Sequence, residues 1–260
     1  MSELLPPPVA RHAYGWRRPL PGRGALDLLP HVDTTGLEAL PEVDPRAEMP
    51  PVFNQGQLGS CTANATAACF QYDTIVDGKD CGELSRLWIY YFERWIEGTL
   101  ANGDCGAEGH DAFTVAKHGI PDETLWPYIE SELEDRPGAC EPRAYELKKP
   151  VHAVPQNEGA IKKVLSNKQT VAIGFTVYES FEDEWAQLGV MPNPQPGEGI
   201  LGGHEVLVCG YLKSYPEHFL VRNSWGPDWG GLGGYFLFPK ATLLDPNMSS
   251  DWRTVVRSAA

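Results

Sequence analysis

The segment HFLVRNSWGPDWGGLGGYFLF, residues 218–238, contains the most specific pattern in this chain of 260 residues. Its ends, HFLVR and GGYFLF, are short runs of β-branched and aromatic residues, which are typical of β-strands. Between them, Asn223 is followed by Trp225 and Trp229 among several glycines. The glycines do not indicate a phosphate-binding loop, because no Lys-Ser/Thr pair follows and no strand-to-helix context surrounds them. The segment therefore predicts a glycine-rich hairpin beneath bulky indole rings.

The chain around this hairpin, from about residue 149 onward, contains further strand patterns punctuated by Gly, Pro and Asn. These patterns are TVAIGFTV, HEVLVCGY and WRTVVR. One helix, NEGAIKKVLSNK, interrupts the strands, and Asn157 is a suitable N-terminal cap for it. The acidic stretch ESFEDEWAQ, residues 179–187, is interpreted as a solvated face without a catalytic role.

Residues 61–119 have helical patterns instead. CTANATAACFQY is rich in alanine, and GHDAFTVAKHG is predicted to end at Gly119. Between them, LSRLWIYYFERWIE has apolar residues at helical spacing that are expected in the core: Leu84, Leu87, Trp88, Tyr91 and Trp95. Helices first and strands second predict an α+β fold, because a doubly wound sheet would alternate the two.

Charge and hydropathy exclude several classes of partner. The formal net charge is -14, from 35 acidic and 21 basic residues. This balance argues against nucleic acid as a partner, since phosphates are neutralised by clustered Lys and Arg. No apolar run approaches the ~20 residues of a membrane span, so no membrane partner is expected. The first residues lack the pattern of a secretory signal, which predicts the cytoplasm and leaves export by a non-classical route open.

The six cysteines, at positions 61, 69, 81, 105, 140 and 209, form no CxxC pair and have no metal-ligand spacing. No metal site and no cofactor is therefore predicted. Without a secretory signal, mostly reduced thiols are expected. Cys69 and Cys209 lie within a helical and a strand pattern, which predicts that both are buried as small apolar side chains.

Residues 1–50 are predicted to form a proline-rich, extended arm, because proline fixes φ and cannot donate to a β-ladder. Residues 1–24 carry four arginines against one glutamate, which leaves a charge of -17 for the rest of the chain. A disordered tail is one interpretation. The other is docking on the acidic body, which the charge difference and the aromatic residues Tyr14 and Trp16 favour.

Two residues far apart in sequence have the chemistry of a nucleophile and a base. Cys61 opens an alanine-rich helix, where free backbone N–H groups and the helix dipole stabilise a thiolate. His204 opens an alternating strand after two glycines, and a neutral imidazole near a thiol can take its proton. Taken singly, each residue has an ordinary structural interpretation: a buried core cysteine and a core histidine.

Three segments together strongly resemble the papain-like cysteine peptidases, over about residues 51–240. They are QGQLGSCTAN around Cys61, HEV at His204, and NSWGPDWGGLGGY from Asn223. The resemblance implies a cysteine nucleophile at Cys61, a general base at His204, and an asparagine at 223 that orients the imidazole. Gln55 would donate its amide to the oxyanion beside the Cys61 backbone N–H. The residues expected to line the substrate cleft are Gly59, Ser60, Gly106, Ala107, Gly203 and Trp225.

Three positions depart from the family pattern. Leu58 replaces the second cysteine of the motif, so the disulfide beside the nucleophile cannot form, and Cys105 would be a free thiol. Thr62 replaces the tryptophan after the nucleophile. Glu205 replaces an alanine after the histidine, and strand alternation should point it away from His204, although its charge could raise the imidazole pKa.

The resemblance implies a two-lobe fold, with a helical lobe at 51–148 and a β-barrel-like lobe at 149–260. An extended peptide or protein substrate would lie in the cleft between them. The pocket for the second residue before the scissile bond would draw on residues 105–109 and on residues near 175 and 240–246. The predicted function is peptide-bond hydrolysis through a thiolate–imidazolium pair and an acyl-thioester. Acyl or amide transfer by the same residues and a catalytically silent peptide-binding homologue stay open as alternatives.

The resemblance also gives the N-terminal arm a role. Family prosegments inhibit by lying along the cleft in the direction opposite to substrate. The basic, aromatic arm of this chain is therefore interpreted as an intramolecular inhibitor, and a structural strap on the body is the competing interpretation.

Overall fold

The computed structural model describes residues 12–20, 41–80, 82–135, 149–182 and 188–256. Its helices are α1 (Cys61–Val76), α2 (Arg86–Glu97), α3 (Gly109–Ala116), α4 (Glu158–Ser166) and the short α5 (Lys240–Leu243). Three short 3-10 turns, Leu100–Asn102, Glu130–Glu132 and Glu179–Glu182, lie between them. Part of the predicted arm, residues 1–11 and 21–40, lies outside the described residues. Cys81 and Cys140 also lie outside them.

The strands form one six-stranded antiparallel sheet in the order β1-β6-β2-β3-β4-β5. They are β1 (Val151–Ala153), β2 (Val171–Tyr178), β3 (Ile200–Gly210), β4 (His218–Arg222), β5 (Tyr235–Pro239) and β6 (Ser249–Val255). The five predicted strands are confirmed, and the short edge strand β1 is added. The α+β order is confirmed, since α1–α3 precede the sheet in the chain.

Helix α1 is the element that joins the two halves. Every residue from Cys61 to Thr74 is buried, because α1 lies between the other helices and strand β3. A helix enclosed on all sides has no polar face to leave in water, which explains its alanine-rich sequence. Cys61, at its first residue, is thereby held against the strand that carries His204.

Helix α2 corrects one expectation. Leu84, Leu87 and Tyr91 are buried as predicted, but Trp95 is 60% exposed. Arg94 takes the buried position beside it and donates hydrogen bonds to the carbonyls of Gly103 at 2.8 Å and Leu133 at 2.7 Å. Because these polar contacts hold Arg94 inside, the buried face of α2 includes Arg94 instead of Trp95. The spacing of the apolar residues alone does not predict this difference.

The remaining helices follow their sequence signals closely. The Asn157 side chain accepts a hydrogen bond from the Ala160 N–H at 2.8 Å, which confirms the predicted cap of α4. Helix α3 ends at Ala116, three residues before the predicted Gly119, whose φ of 110° closes the following turn. No helix in the described ranges is long and apolar enough to cross a membrane.

A buried arginine fixes the segment that leads into α1. Arg222, the last residue of β4, donates to the carbonyl oxygens of Pro50 and Pro51, each at 2.5 Å. Its guanidinium also lies over the aromatic ring of Phe53, 5.3 Å from the ring centroid. Gln55 then donates its backbone N–H to the Ser224 carbonyl at 2.8 Å, so the two lobes are joined next to the site.

Candidate active site

Cys61 is fully buried at the first residue of α1, after the turn that contains Gln55 and Gly59. The first backbone N–H groups of a helix have no partner within the helix, so they and the dipole favour negative charge at this position. The thiol therefore has a setting in which a thiolate can be stabilised once water or a cation reaches it.

His204 and Asn223 form a hydrogen-bonded pair. The imidazole Nε2 lies 2.8 Å from the Asn223 side-chain oxygen, which also accepts the Ser224 backbone N–H at 2.8 Å. Because that oxygen only accepts, Nε2 carries the proton and Nδ1 is the basic nitrogen. Nδ1 is buried and has no hydrogen-bond partner among the described residues. The pair thus presents a free base to the cleft.

Aromatic rings cover this pair. The indole of Trp225 stacks on the His204 ring, with centroids 4.7 Å apart and planes at 21°. Phe181 lies 5.6 Å from Trp225 and 6.4 Å from His204 between ring centroids. These rings exclude water that would compete for the hydrogen bond between His204 and Asn223.

The Gln55 side chain is held in one orientation. Its amide oxygen accepts from the Ser224 hydroxyl at 2.6 Å, so its amide nitrogen must face the other way. That nitrogen donates to the Leu58 carbonyl at 2.8 Å and to the Ala13 carbonyl at 3.2 Å. One of the two amide hydrogens therefore already binds the Ala13 carbonyl oxygen of the segment that lies in the cleft. A donor to an oxyanion needs the same direction toward a carbonyl oxygen in the cleft.

The surroundings disfavour the charged forms of the nucleophile and the base. Burial raises the pKa of the Cys61 thiol to about 12, with a further contribution from the negative charge of Glu205. Backbone hydrogen bonds from Glu205 and Gly15 oppose this rise only in part. Burial lowers the pKa of His204 to about 4, against the effect of its hydrogen bond to Asn223. Thiol and imidazole are therefore both neutral at neutral pH in this structure.

Residues 12–18, the cleft segment, account for much of that burial. Three backbone hydrogen bonds hold the segment: Trp16 N–H to Gly203 at 2.9 Å, Arg17 N–H to Ala107 at 2.9 Å, and Ala107 N–H to Gly15 at 2.8 Å. Trp16 and Ala107 thus pair as a parallel bridge. The segment crosses both lobes, because Ala107 precedes α3 and Gly203 lies in β3.

Side chains of the cleft segment cover Trp225 and His204 directly. The His12 ring stacks on Trp225 with centroids 3.9 Å apart. The Tyr14 ring stands edge-on to His204 at 6.0 Å, and its hydroxyl donates to Glu182. Beyond them, Arg17 pairs with Glu97, and Arg18 donates to the carbonyls of Pro246 and Asn247 at 2.9 Å each.

The predicted cleft residues fall into two groups. Gly59, Gly106 and Gly203 contact the cleft segment through their backbones, and so does Ala107. A Cβ atom added at Gly106 would collide with Gly15, and one added at Gly203 would collide with Trp16. Ser60 is different, because its hydroxyl is directed away from the segment to Tyr128 and Asn64.

The departures from the family motif have structural explanations. Leu58 is buried in the helical core, and Cys105 is a free, half-buried thiol. The Thr62 hydroxyl donates to the buried carboxylate of Glu93 at 2.8 Å. Glu205 affects the thiol, since its charge raises the pKa of Cys61. Cys69 and Cys209 are buried free thiols as predicted.

Sequence patterns missed three contributors to the site. Ser224 orients Gln55, Phe181 packs on the imidazole, and Gly174 makes room for Trp16. Phe181 lies in the acidic stretch that was interpreted as a solvated face, and its burial corrects that interpretation for this residue. The sequence indicates this burial only by placing a large apolar side chain among polar and acidic neighbours, Ser180 and Glu182.

One group of described residues brings metal-ligating atoms within 4.8 Å of one another: Glu108, His110 and Asp111. The imidazole Nδ1 lies 3.4 Å from the Glu108 carboxylate and Nε2 lies 3.3 Å from that of Asp111. Both ring nitrogens of His110 therefore already face a carboxylate of the same group.

Comparisons with known proteins agree with this geometry. The sequence pattern of the Papain family cysteine proteases matches residues 40–250. An uncharacterized peptidase C1-like protein of Acanthamoeba polyphaga mimivirus is 33% identical over 216 residues, which are 77% of this chain and 68% of that protein. Procathepsin L of Rattus norvegicus is 27% identical over 203 residues, covering 73% of this chain and 57% of the rat protein.

A solved structure shows the same fold over the described ranges. Xylellain, a cysteine protease from Xylella fastidiosa, superposes with a TM-score of 0.81 and 30% sequence identity. The match covers 96% of this chain and 99% of xylellain. Both the sequence pattern and the fold extend across the two lobes that carry Cys61 and His204. The chain therefore belongs to the papain family of cysteine proteases.

Proposed function

We propose that Cys61, His204, Asn223 and Gln55 carry out peptide-bond hydrolysis, and that the cleft segment keeps this site closed. A papain-family protease acts on peptide substrates, and the arrangement of these four side chains supports the assignment of roles. The observation that carries it is the His204–Asn223 pair, which leaves Nδ1 of the imidazole without a partner among the described residues, one residue before the backbone of Glu205 that contacts Cys61.

The chemistry proceeds in two halves. The Cys61 thiol passes its proton to Nδ1 of His204, and the thiolate attacks the scissile carbonyl carbon. The resulting oxyanion accepts hydrogen bonds from the Gln55 amide and the Cys61 backbone N–H, and each such donor is worth about 3–4 kcal/mol. His204 then protonates the leaving amine as the C–N bond breaks, which forms an acyl-thioester. Water, deprotonated by His204, hydrolyses the thioester and restores the thiol.

The contacts of the cleft segment support inhibition without cleavage. The group of the cleft segment that faces the Cys61 sulfur is the backbone N–H of Gly15, which is not electrophilic. The Gly15 carbonyl is turned to Ala107, and the carbonyl beside Gln55 belongs to Ala13. The sulfur and the oxyanion donor thus act on different peptide units, whereas attack requires both at one carbonyl.

The segment also suppresses the ion pair. Dry surroundings penalise both a thiolate and an imidazolium, and the segment supplies the rings and backbone that keep water out. Leaving the cleft would rehydrate both groups, lower the thiol pKa and raise the imidazole pKa. Closure therefore blocks substrate and holds the nucleophile in its unreactive form.

Deleting residues 1–40 tests the closed state. Hydrolysis of a short fluorogenic peptide should rise several-fold in the deletion variant, and salt should partly activate the full chain by screening the Arg17–Glu97 pair. A synthetic peptide of residues 12–20 added to the deletion variant should inhibit it again. Unchanged or lower activity in a folded deletion variant would make the arm a structural strap.

Product analysis with added amines separates hydrolysis from acyl transfer, because the acyl-thioester is common to both. An epoxysuccinyl inhibitor should alkylate the deletion variant once, at Cys61. A protein that takes up no label would be a silent binding homologue.

We also propose a reducing compartment, in accordance with the cytoplasmic prediction. Cys61, Cys69, Cys105 and Cys209 are all free thiols, which supports it. Native mass spectrometry without reductant should find no disulfide in the full chain, and two disulfides would overturn the proposal.

A further inference from the structure

The Trp16 side chain fills a pocket beside the nucleophile. Trp16 is 5% exposed, and its indole lies over Gly174 of β2 and Gly203 of β3. A Cβ atom at either glycine would collide with the indole, so the missing side chains create the space. We call this space, bounded by Ala107, Gly174, Gly203 and Glu205, the Trp16 pocket.

Glu205 forms one wall of the Trp16 pocket. The β2–β3 register pairs Gly174 with Glu205, and residues directly opposite in an antiparallel pair project to the same face. Gly203 projects to that face as well, since it is two residues before Glu205. A Cβ atom at Gly174 would meet the Nε1 edge of the indole. Because Glu205 is the partner of Gly174 in the register, Glu205 lies on the side of the ring that carries Nε1. Its carboxylate then reaches Gly109, where a Cβ atom would collide with it.

The carboxyl group of Glu205 is fully buried and unsatisfied. Neither of its oxygens has a hydrogen-bond partner among the described residues, and the same holds for Nε1 of Trp16. A buried polar group without a partner is destabilising, so each such group in a native structure requires an explanation. The present occupant therefore does not meet the polar requirement of the pocket.

The charges around Glu205 are mostly negative. Glu93 and Asp251 both act on it electrostatically, together with one cation, Arg253. That cation is paired with Asp251 at 2.8 Å, and Glu93 accepts from Thr62. Burial and these carboxylates raise the pKa of Glu205 well above its usual range. A second cation entering the pocket would relieve this unfavourable concentration of carboxyl groups.

We propose that Glu205 selects substrates with Arg or Lys at the second residue before the scissile bond, P2. The inference rests on the proposed function and adds a substrate class to it. The Trp16 pocket lies between residue 107 and strand β2, which are two of the three regions that the family resemblance implies for P2. A basic side chain would fill the space of the indole with its methylene stem and bring its charge to Glu205.

Discrimination follows from the cost of leaving Glu205 unpaired. An apolar P2 side chain fits the space but, like Trp16, provides neither a hydrogen bond nor a positive charge to the Glu205 carboxyl group. Sites that hold a buried polar group reject a ligand that cannot pair with it far more strongly than an apolar pocket rejects a missing methylene. Trp16 is thus a poor match for this one pocket, since the arginines that follow it at 17 and 18 are bound elsewhere.

The test uses the deletion variant lacking residues 1–40 and peptides that differ only at P2. The ratio of kcat/KM for P2 Arg to that for P2 Leu should be about tenfold or more, and Glu205→Gln should reduce the ratio by a similar factor. Glu182→Gln is the matched control, because Glu182 contacts Tyr14 of the cleft segment rather than the Trp16 pocket, and its ratio should stay as in the parent. Thermal unfolding of all three proteins verifies that they are folded.

Gly174→Ala provides a second test that does not remove the charge. Its φ is not in the left-handed region, so alanine is tolerated by the backbone, and its methyl group narrows the Trp16 pocket. The variant should lose activity on P2 Arg relative to P2 Ala by about tenfold. A P2 profile unaffected by Gly174→Ala, or an Arg-to-Leu ratio unaffected by Glu205→Gln, overturns the inference. Cleavage with a preference for P2 Leu overturns the inference about P2 and leaves the proposed function standing. If the protein neither cleaves peptides nor takes up the epoxysuccinyl label at Cys61, the proposed function is overturned as well.

Discussion

The amide nitrogen of Gln55 lies 3.2 Å from the carbonyl oxygen of Ala13, so the side chain assigned to the oxyanion already binds a peptide carbonyl of the same chain. The contact links catalysis and closure, because the same donor cannot serve a substrate until the cleft segment leaves. It also shows that the donor is correctly oriented before substrate arrives, through its bond to Ser224.

Changes to the catalytic pair should be graded by role. In the deletion variant, Cys61→Ser and His204→Ala should abolish peptide hydrolysis, since each removes half of the ion pair. Asn223→Ala should leave residual activity, because it impairs only the orientation of the imidazole. Initial rates with one fluorogenic peptide give the comparison. Activity of Cys61→Ser near that of the parent would refute the mechanism.

Gly15→Ala should activate the full-length chain. Gly15 packs so closely on Gly59 that a Cβ atom would collide with the Gly59 carbonyl oxygen, so the cleft segment must move outward. Peptide hydrolysis should rise several-fold without any deletion. Leu20→Ala is the control within the same arm, because Leu20 is 66% exposed, and it should have no effect. Equal activities of the two variants would contradict the close packing.

Alkylation of Cys61 should depend on pH differently in the open and closed states. The pKa of Cys61 is raised to about 12 and that of His204 is lowered to about 4, so between these values the closed pair is neutral. Iodoacetamide should modify the full chain slowly, at a rate that rises with pH as the thiol titrates.

In the deletion variant, rehydration lowers the thiol pKa and raises the imidazole pKa, which favours the ion pair. Alkylation should be about tenfold faster at pH 6 and nearly independent of pH up to 8. Mass spectrometry of the Cys61 peptide measures both rates. Parallel pH profiles would show that closure acts by steric exclusion alone.

Arg222→Met should destabilise the protein. The substitution removes two hydrogen bonds from a buried guanidinium to Pro50 and Pro51, at a cost of about 3 kcal/mol. Arg46→Met is the control, because it breaks only the partly exposed pair with Asp44, worth about 0.5 kcal/mol. Urea unfolding should show a lower midpoint for Arg222→Met alone. Equal midpoints would contradict the structural role of Arg222.

The sequence predicted the order of the elements, because that order depends on local patterns. The roles of Cys61, His204 and Asn223 came from the family resemblance and stay predictions. The strand alternation around His204 and the cap at Asn157 each depend on only a few neighbouring residues. Trp95 was misplaced because the buried position belongs to Arg94, whose partners Gly103 and Leu133 are distant in sequence.

The Trp16 pocket was not predictable either, because its residues are also distant in sequence. Gly174 and Glu205 are 31 positions apart and meet only through the β2–β3 register. The basic, aromatic character of the arm was visible in the sequence, but the contacts of His12, Tyr14 and Trp16 with particular cleft residues depend on the tertiary arrangement.

The burial of Cys61 has a consequence for the lifetime of the protein. Peroxide oxidises thiolates and spares thiols, and a closed cleft offers it neither a thiolate nor a path to the sulfur. Among the cysteines that the structure describes, the half-buried Cys105 is the most accessible to oxidants. Under the proposed closure, the latent chain persists through oxidative stress with Cys61 intact, and Cys61 becomes vulnerable to irreversible oxidation only when the cleft segment leaves.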